Sequence, residues 1–174
     1  AFAERWQQRT GEAFSVDVEM RVVELRAVEW PPMPPGVCRV ADAADLPLVF
    51  KWYCDFTREA LPSDPILPTE DGVKRKIEEG SVYLWEDGGP AALAVRGRRL
   101  PHGSSVGPVY TPPPKRGRGY ASACVATLSQ AILDGGAQFC TLFTDLANPT
   151  SNRIYQRLGY RPLCDFTEYS FKAG

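Results

Sequence analysis

Residues 115–123 read KRGRGYASA, which sets Lys115, Arg116 and Arg118 around Gly117 and Gly119 directly behind the prolines Pro112, Pro113 and Pro114. Glycines free the backbone of Cβ clashes where a strand turns into a helix, so several N–H groups can converge on one small concavity. With a helix N-terminus and three cations beside it, such a concavity suits a phosphate or pyrophosphate. A triphosphatase loop, GxxxxGK[ST], is absent because no Lys is followed by Ser or Thr. A dinucleotide GxGxxG is also absent, for want of a third glycine. The bland alternative is a solvated basic loop or a nucleic-acid patch, and the chain's formal net charge of -1 disfavours it.

Two neighbouring segments narrow the ligand. Pro108 stands inside VGPVYT and cannot donate to a ladder, so that strand is expected at an edge, bulged, or splayed from its partner. A splayed strand leaves backbone groups that can bind an amide-rich arm as a short added strand. Coenzyme A has that shape, with a pyrophosphate at one end and two amides leading to a thiol. Downstream, NPTSNRIYQRLGY offers Asn148 as N-cap, Pro149 at the first helical position and Gly159 as the stop. Ile154 and Leu158, four apart, read as core. Asn152 and Tyr155 are left over, and from the residues alone Tyr155 reads as a structural tyrosine.

RGRGYA, at residues 116–121, resembles the R/QxxGxG/A acetyl-CoA signature of the GNAT acetyltransferase superfamily, its terms being Arg116, Gly119 and Ala121. The segment with Asn148, Ser151, Asn152, Tyr155, Gly159 and Tyr160 is similar to the superfamily's second C-terminal motif. VYTPP and FTEYSF further resemble a bacterial branch of predicted acetyltransferases in which a longer N-terminal region precedes the catalytic domain. The resemblance implies an α+β fold: a central, mostly antiparallel twisted sheet with a splayed strand pair, flanked by helices. It implies acetyl-CoA as acyl donor, no metal, and direct attack of a primary amine on the thioester. Implied cofactor contacts are Val109, Tyr110 and Thr111 on the splayed strand, Arg116, Gly117, Arg118, Gly119, Tyr120 and Ala121 in the cradle, and Asn148, Ser151 and Asn152. Tyr155 is implied as general acid, since a phenol of pKa about 10 can neutralise a departing thiolate.

Relatives often place a Glu on the splayed strand as base, whereas here Val109, Tyr110 and Thr111 stand there. Substitutes are Glu59, Asp145, Glu168, the single histidine His102, or a water relay. Cys124 lies on an apolar helix face and reads as core. Two other functions are carried: an acyltransferase using a longer acyl-CoA with an amino acid such as glycine, and a non-catalytic acyl-CoA-sensing or protein-interaction domain. A homodimer, or contact with a missing N-terminal region, is held open.

The elements that must position these groups are legible from periodicity and breakers. Residues 1–11 form a short helix ended by Gly11, and residues 15–25 alternate as a half-buried strand. WPPMPPG breaks both, so the expected division is a prefix and linker over residues 1–35 and a catalytic domain over residues 36–174. A short strand at 36–41 precedes a helix over 42–61 with a core face of Leu46, Val49, Phe50, Tyr53, Thr57 and Ala60. A second stripe on that helix, Trp52, Phe56 and Glu59, is expected to meet a neighbouring domain or a substrate cleft. An exposed helix over 68–80, an antiparallel meander over 81–111, a helix over 119–136, a strand over 137–146, a helix over 148–159 and a strand over 164–171 complete the chain.

Composition sets the class. The sequence is 44% hydrophobic and 24% charged, as expected of a soluble globular domain. The five cysteines include no CxxC pair, so neither a disulfide framework nor a zinc knuckle is indicated. No apolar run nears the roughly 20 residues needed to span a bilayer. A cytoplasmic protein without nucleic-acid or membrane partners is expected, and the start at Ala1 suggests a piece of something longer.

Overall fold

A computed structural model of the chain describes residues 2–60 and 66–172. The elements in chain order are α1 (Phe2–Thr10), β1 (Ala13–Leu25), β2 (Val37–Val40), α2 (Leu46–Ala60), α3 (Glu70–Glu78), β3 (Val82–Glu86), β4 (Pro90–Leu100), β5 (Gly103–Tyr110), α4 (Tyr120–Asp134), β6 (Phe139–Asp145), α5 (Pro149–Arg157) and β7 (Arg161–Lys172). The expected helix ends at Ala1 and Leu61, and residues 173 and 174 of the expected domain, lie outside the described residues.

The strands form one sheet in the order β2-β3-β4-β5-β6-β1-β7. Every pairing is antiparallel except that of β5 with β6. Alternation along the central strands divides the core into two layers. Leu84, Leu93, Val95 and Tyr110 face α2 and α3, meeting Val49, Trp52, Val73 and Ile77. Ala92, Ala94 and Val106 face α4, meeting Tyr120, Cys124, Val125 and Leu128. The alanines of β4 have no exposed surface, which lets α4 approach the sheet closely.

Three local expectations change. The helix expected from Asp42 opens as a 3-10 turn, Ala43–Asp45, closed by a capping box between Asp42 and Asp45 before α2 begins. α3 is not wholly exposed: Val73 and Ile77, four residues apart, are buried and dock it on the α2 layer. On α2, Trp52 from the second stripe is core, 6.1 Å from the Tyr110 ring, while Ala60 from the first is exposed.

β1 runs between β6 and β7, with Leu25 opposite Cys140 and Glu24 opposite Arg161. β7 begins at Arg161 rather than Cys164 because β1 supplies a partner over that length. The linker crosses β3, where Pro35 O accepts from Trp85 Nε1 at 3.0 Å. Gly36, at φ +109°, is required there: a Cβ would stand 2.0 Å from Glu86 O. Among the described residues no helix is long and apolar enough to cross a membrane.

The split that matters most lies between β5 and β6. Their parallel pairing joins Gly103, Ser104 and Ser105 to Phe139, Cys140 and Thr141 and ends there. Beyond it β5 stays with β4, Tyr110 opposite Leu93, and β6 stays with β1, Met20 opposite Asp145. Pro108 falls in the departing stretch, where no ladder hydrogen bond is asked of it.

Candidate active site

A cleft of about 700 Å³ opens where β5 and β6 part. Val109, Tyr110 and Thr111 line it from β5 and the residue beyond. Arg116, Gly117, Arg118, Gly119, Tyr120 and Ala121 line it from the turn into α4, and Asn148, Ser151 and Tyr155 from α5. Residues far apart in sequence are thus brought to one space because α4 and α5 both start at the end of the sheet where it divides.

The turn into α4 is built to present donors. Among the described residues, no backbone N–H of residues 117–122 donates to another backbone group, and the first bond of the helix runs from Ala123 N–H to Gly119 O at 3.0 Å. Gly119 is the N-cap and offers no side chain to take up those donors. Gly117 and Gly119 stand at φ +77° and +84°; a Cβ at the first would meet nothing within 4 Å, and at the second only Pro34 at 4.0 Å. The concavity is therefore open on the side where a ligand would lie. With the helix dipole behind it, it suits an anion.

Tyr155 is half-buried against the Tyr160 ring, 5.9 Å between centroids. Burial pushes its phenol up to about 12, so it keeps its proton across the neutral range. Among the described residues its hydroxyl has no hydrogen-bond partner, whereas that of Tyr160 is tied to Ser129 Oγ at 2.8 Å. The same motif thus contributes one structural tyrosine and one whose hydroxyl is unengaged.

Glu59 also lines the cleft, with Phe56, so the rest of the second α2 stripe meets a cleft. Glu59 Oε2 accepts from Arg116 Nη2 at 2.6 Å, and Oε1 accepts from the Tyr110 hydroxyl at 3.3 Å. Arg116 Nε donates to Thr111 O at 2.8 Å. Burial first, then the neighbouring Glu59 carboxylate, raises the Tyr110 phenol. Thr111 Oγ1 is the one buried side-chain oxygen or nitrogen among the described residues without a partner.

The other sequence candidates lie elsewhere. Asn152 turns away from the cleft and donates through Nδ2 to the carbonyls of Asp145 and Leu146, at 3.0 and 3.4 Å, tying α5 to the end of β6. Asp145 accepts from Ala147 N–H at 2.7 Å. Glu168 is exposed on β7 opposite Val18, and His102 is exposed in the turn between β4 and β5. Sequence reasoning did not single out Thr150 and Arg157 and read Ile154 as core, yet all three line the cleft from α5. Their i, i+4, i+7 spacing, adjoining the stripe of Ser151 and Tyr155, was the available signal. Among the described residues no cluster of His, Cys, Asp and Glu is disposed to hold a metal.

Residues 87–170 match the FR47-like protein family. The fold is similar to that of a GCN5-related N-acetyltransferase from Sphaerobacter thermophilus, at 17% identity and TM-score 0.72 over 98% of this chain and 55% of that one. It is similar to a GCN5-related N-acetyltransferase from Kribbella flavida, at 21% identity and TM-score 0.67 over 92% and 60%. A ribosomal-protein-alanine N-acetyltransferase from Brucella melitensis is similar at 21% identity and TM-score 0.60, over 69% and 81%. The chain thus spans 55% and 60% of the length of the first two structures. No curated protein matches the sequence. The FR47-like match spans both the glycine-led and the asparagine-led segments, and the sheet divides where those segments begin, in a fold similar to that of these N-acetyltransferase structures.

Proposed function

We propose that the chain is an N-acetyltransferase that moves the acetyl group of acetyl-CoA to a primary amine by direct attack while both are bound. One observation carries the reading: the unbonded N–H groups of residues 117–122 and the divided edge of β5 line a single cleft. The first suits a pyrophosphate and the second an amide-bearing arm, and coenzyme A joins the two chemistries in one molecule. Two further features fit that ligand. Gly117 and Gly119 leave the cradle free of side chains, and the buried Thr111 Oγ1 beside it lacks a partner that an amide of the arm would supply.

Bound acetyl-CoA supplies an activated acetyl thioester. The cradle of residues 117–122, with Asn148 and Ser151 across the cleft, holds its phosphate end. Backbone groups of Val109, Tyr110 and Thr111 on the side of β5 turned from β4 orient the arm and polarise the thioester carbonyl. The Tyr155 phenol, protonated and unbonded, donates to the leaving sulfur. Of the carboxylates among the described residues, Glu59 alone lines the cleft, which makes it the candidate to take the proton of the amine.

The cheapest test is thermal shift with acetyl-CoA, desulfo-CoA and ATP. Stabilisation by both CoA compounds and not by ATP is expected; stabilisation by ATP alone refutes the assignment. A screen of amines with free-thiol detection then identifies the acceptor.

A further inference from the structure

Arg116 has two claimants. It immediately precedes the cradle of residues 117–122, yet its Nη2 is bonded to Glu59 Oε2 at 2.6 Å. Its Nε is pinned to Thr111 O at 2.8 Å, and no other hydrogen bond ties the guanidinium among the described residues. Both side chains of the pair are 48% exposed. An ion pair so open to water is worth about 0–1 kcal/mol. A phosphate offers the same guanidinium charge-assisted hydrogen bonds and is held besides by the dipole of α4 and the N–H groups of residues 117–122. Between the two claimants the phosphate wins.

The pair also bridges the two layers of the molecule. Glu59 belongs to α2, which covers one face of the sheet, and the cradle opens α4, which covers the other. If the phosphate end of the donor occupies the α4 side, the acceptor enters from the α2 side, past Phe56 and Tyr110. While bonded to Arg116, Glu59 presents no net charge to an incoming ammonium.

We propose that Arg116 exchanges partners as the donor binds, leaving Glu59 for a phosphate of coenzyme A and so releasing the carboxylate that, among the described residues, alone lines the cleft. This deepens, and rests on, the acetyl-CoA reading. The released carboxylate keeps the Tyr110 hydroxyl as its donor, at 3.3 Å in the structure, and is held in place by it. Donor and amine binding are therefore coupled, each favouring the other.

Calorimetric titration of CoA tests the exchange without knowledge of the acceptor. Glu59→Gln removes the competing claimant, so CoA should bind roughly two- to fivefold tighter, in line with an exposed ion pair. Arg116→Gln should weaken binding, and in that background Glu59→Gln should change nothing. A Glu59→Gln affinity that is unchanged or weaker, or an equal gain in both backgrounds, overturns the exchange and leaves the acetyl-CoA reading standing. If the unaltered chain does not bind CoA, the reading falls, and the exchange with it.

Discussion

Gly119→Ala separates the strain of the cradle's backbone from the effect of filling it. Gly119 stands at φ +84°, where an L-residue costs about 1–2 kcal/mol. The added Cβ meets only Pro34, at 4.0 Å, so no internal clash adds to that figure. In a chain of this length 1 kcal/mol lowers the melting midpoint by roughly 2–4 °C, which predicts a fall of roughly 2–8 °C. The same Cβ stands at the open side of the N–H groups of residues 117–122. Losing one hydrogen bond to a charged group, about 1.5–3 kcal/mol, weakens CoA roughly ten- to hundredfold. Gly11→Ala is the matched control: φ is +76°, nothing lies within 4 Å, and the residue follows α1, outside the cleft. Differential scanning calorimetry should find similar destabilisation in the two variants, and titration calorimetry lost CoA affinity in Gly119→Ala alone. A Gly119→Ala chain that binds CoA within twofold of the original, or a Gly11→Ala chain equally impaired, refutes the reasoning.

Tyr155→Phe should leave stability and CoA affinity unchanged, because no partner in the described chain loses a bond, and should lower turnover severalfold or more in the thiol-release assay. Tyr160→Phe should do the reverse, costing about 1–3 kcal/mol in denaturant melts by orphaning Ser129 Oγ in the core. Gly159→Ala adds a Cβ at φ +99° only 2.8 Å from Ala27 O, so it should be destabilised beyond Gly11→Ala by clash with the chain leaving β1. The Arg39 guanidinium, bonded to Asp45 at 2.6 Å, holds that carboxyl below its usual range. Its stabilisation is full above the unfolded value of about 3.9 and is lost as pH falls through the lower folded value. Asp45→Asn should therefore melt lower at pH 7, by a margin that closes on acidification below about pH 4; a margin independent of pH contradicts this.

Local chemistry made much of the molecule readable in advance. Breakers and caps such as Gly11, Asn148 and Gly159 delimit helices through the backbone angles and short-range hydrogen bonds of their own neighbours. The open turn at Gly117 and Gly119 was legible for the same reason, since positive φ and absent Cβ atoms belong to single residues. Strand partners are another matter. That β1 lies between β6 and β7, and that β5 parts from β6 after Ser105, depends on which edges are free once the whole sheet assembles. The period-two pattern is satisfied by any antiparallel neighbour. Trp52, Phe56 and Glu59 share one stripe on α2, yet one is core and two face the cleft, because the boundary between layer and opening is drawn by β5. The pairing of Glu59 with Arg116, 57 residues on, had no trace in either segment. Charges meet where the fold brings their backbones together, and only the tertiary structure decided that this carboxylate and this guanidinium share one cleft.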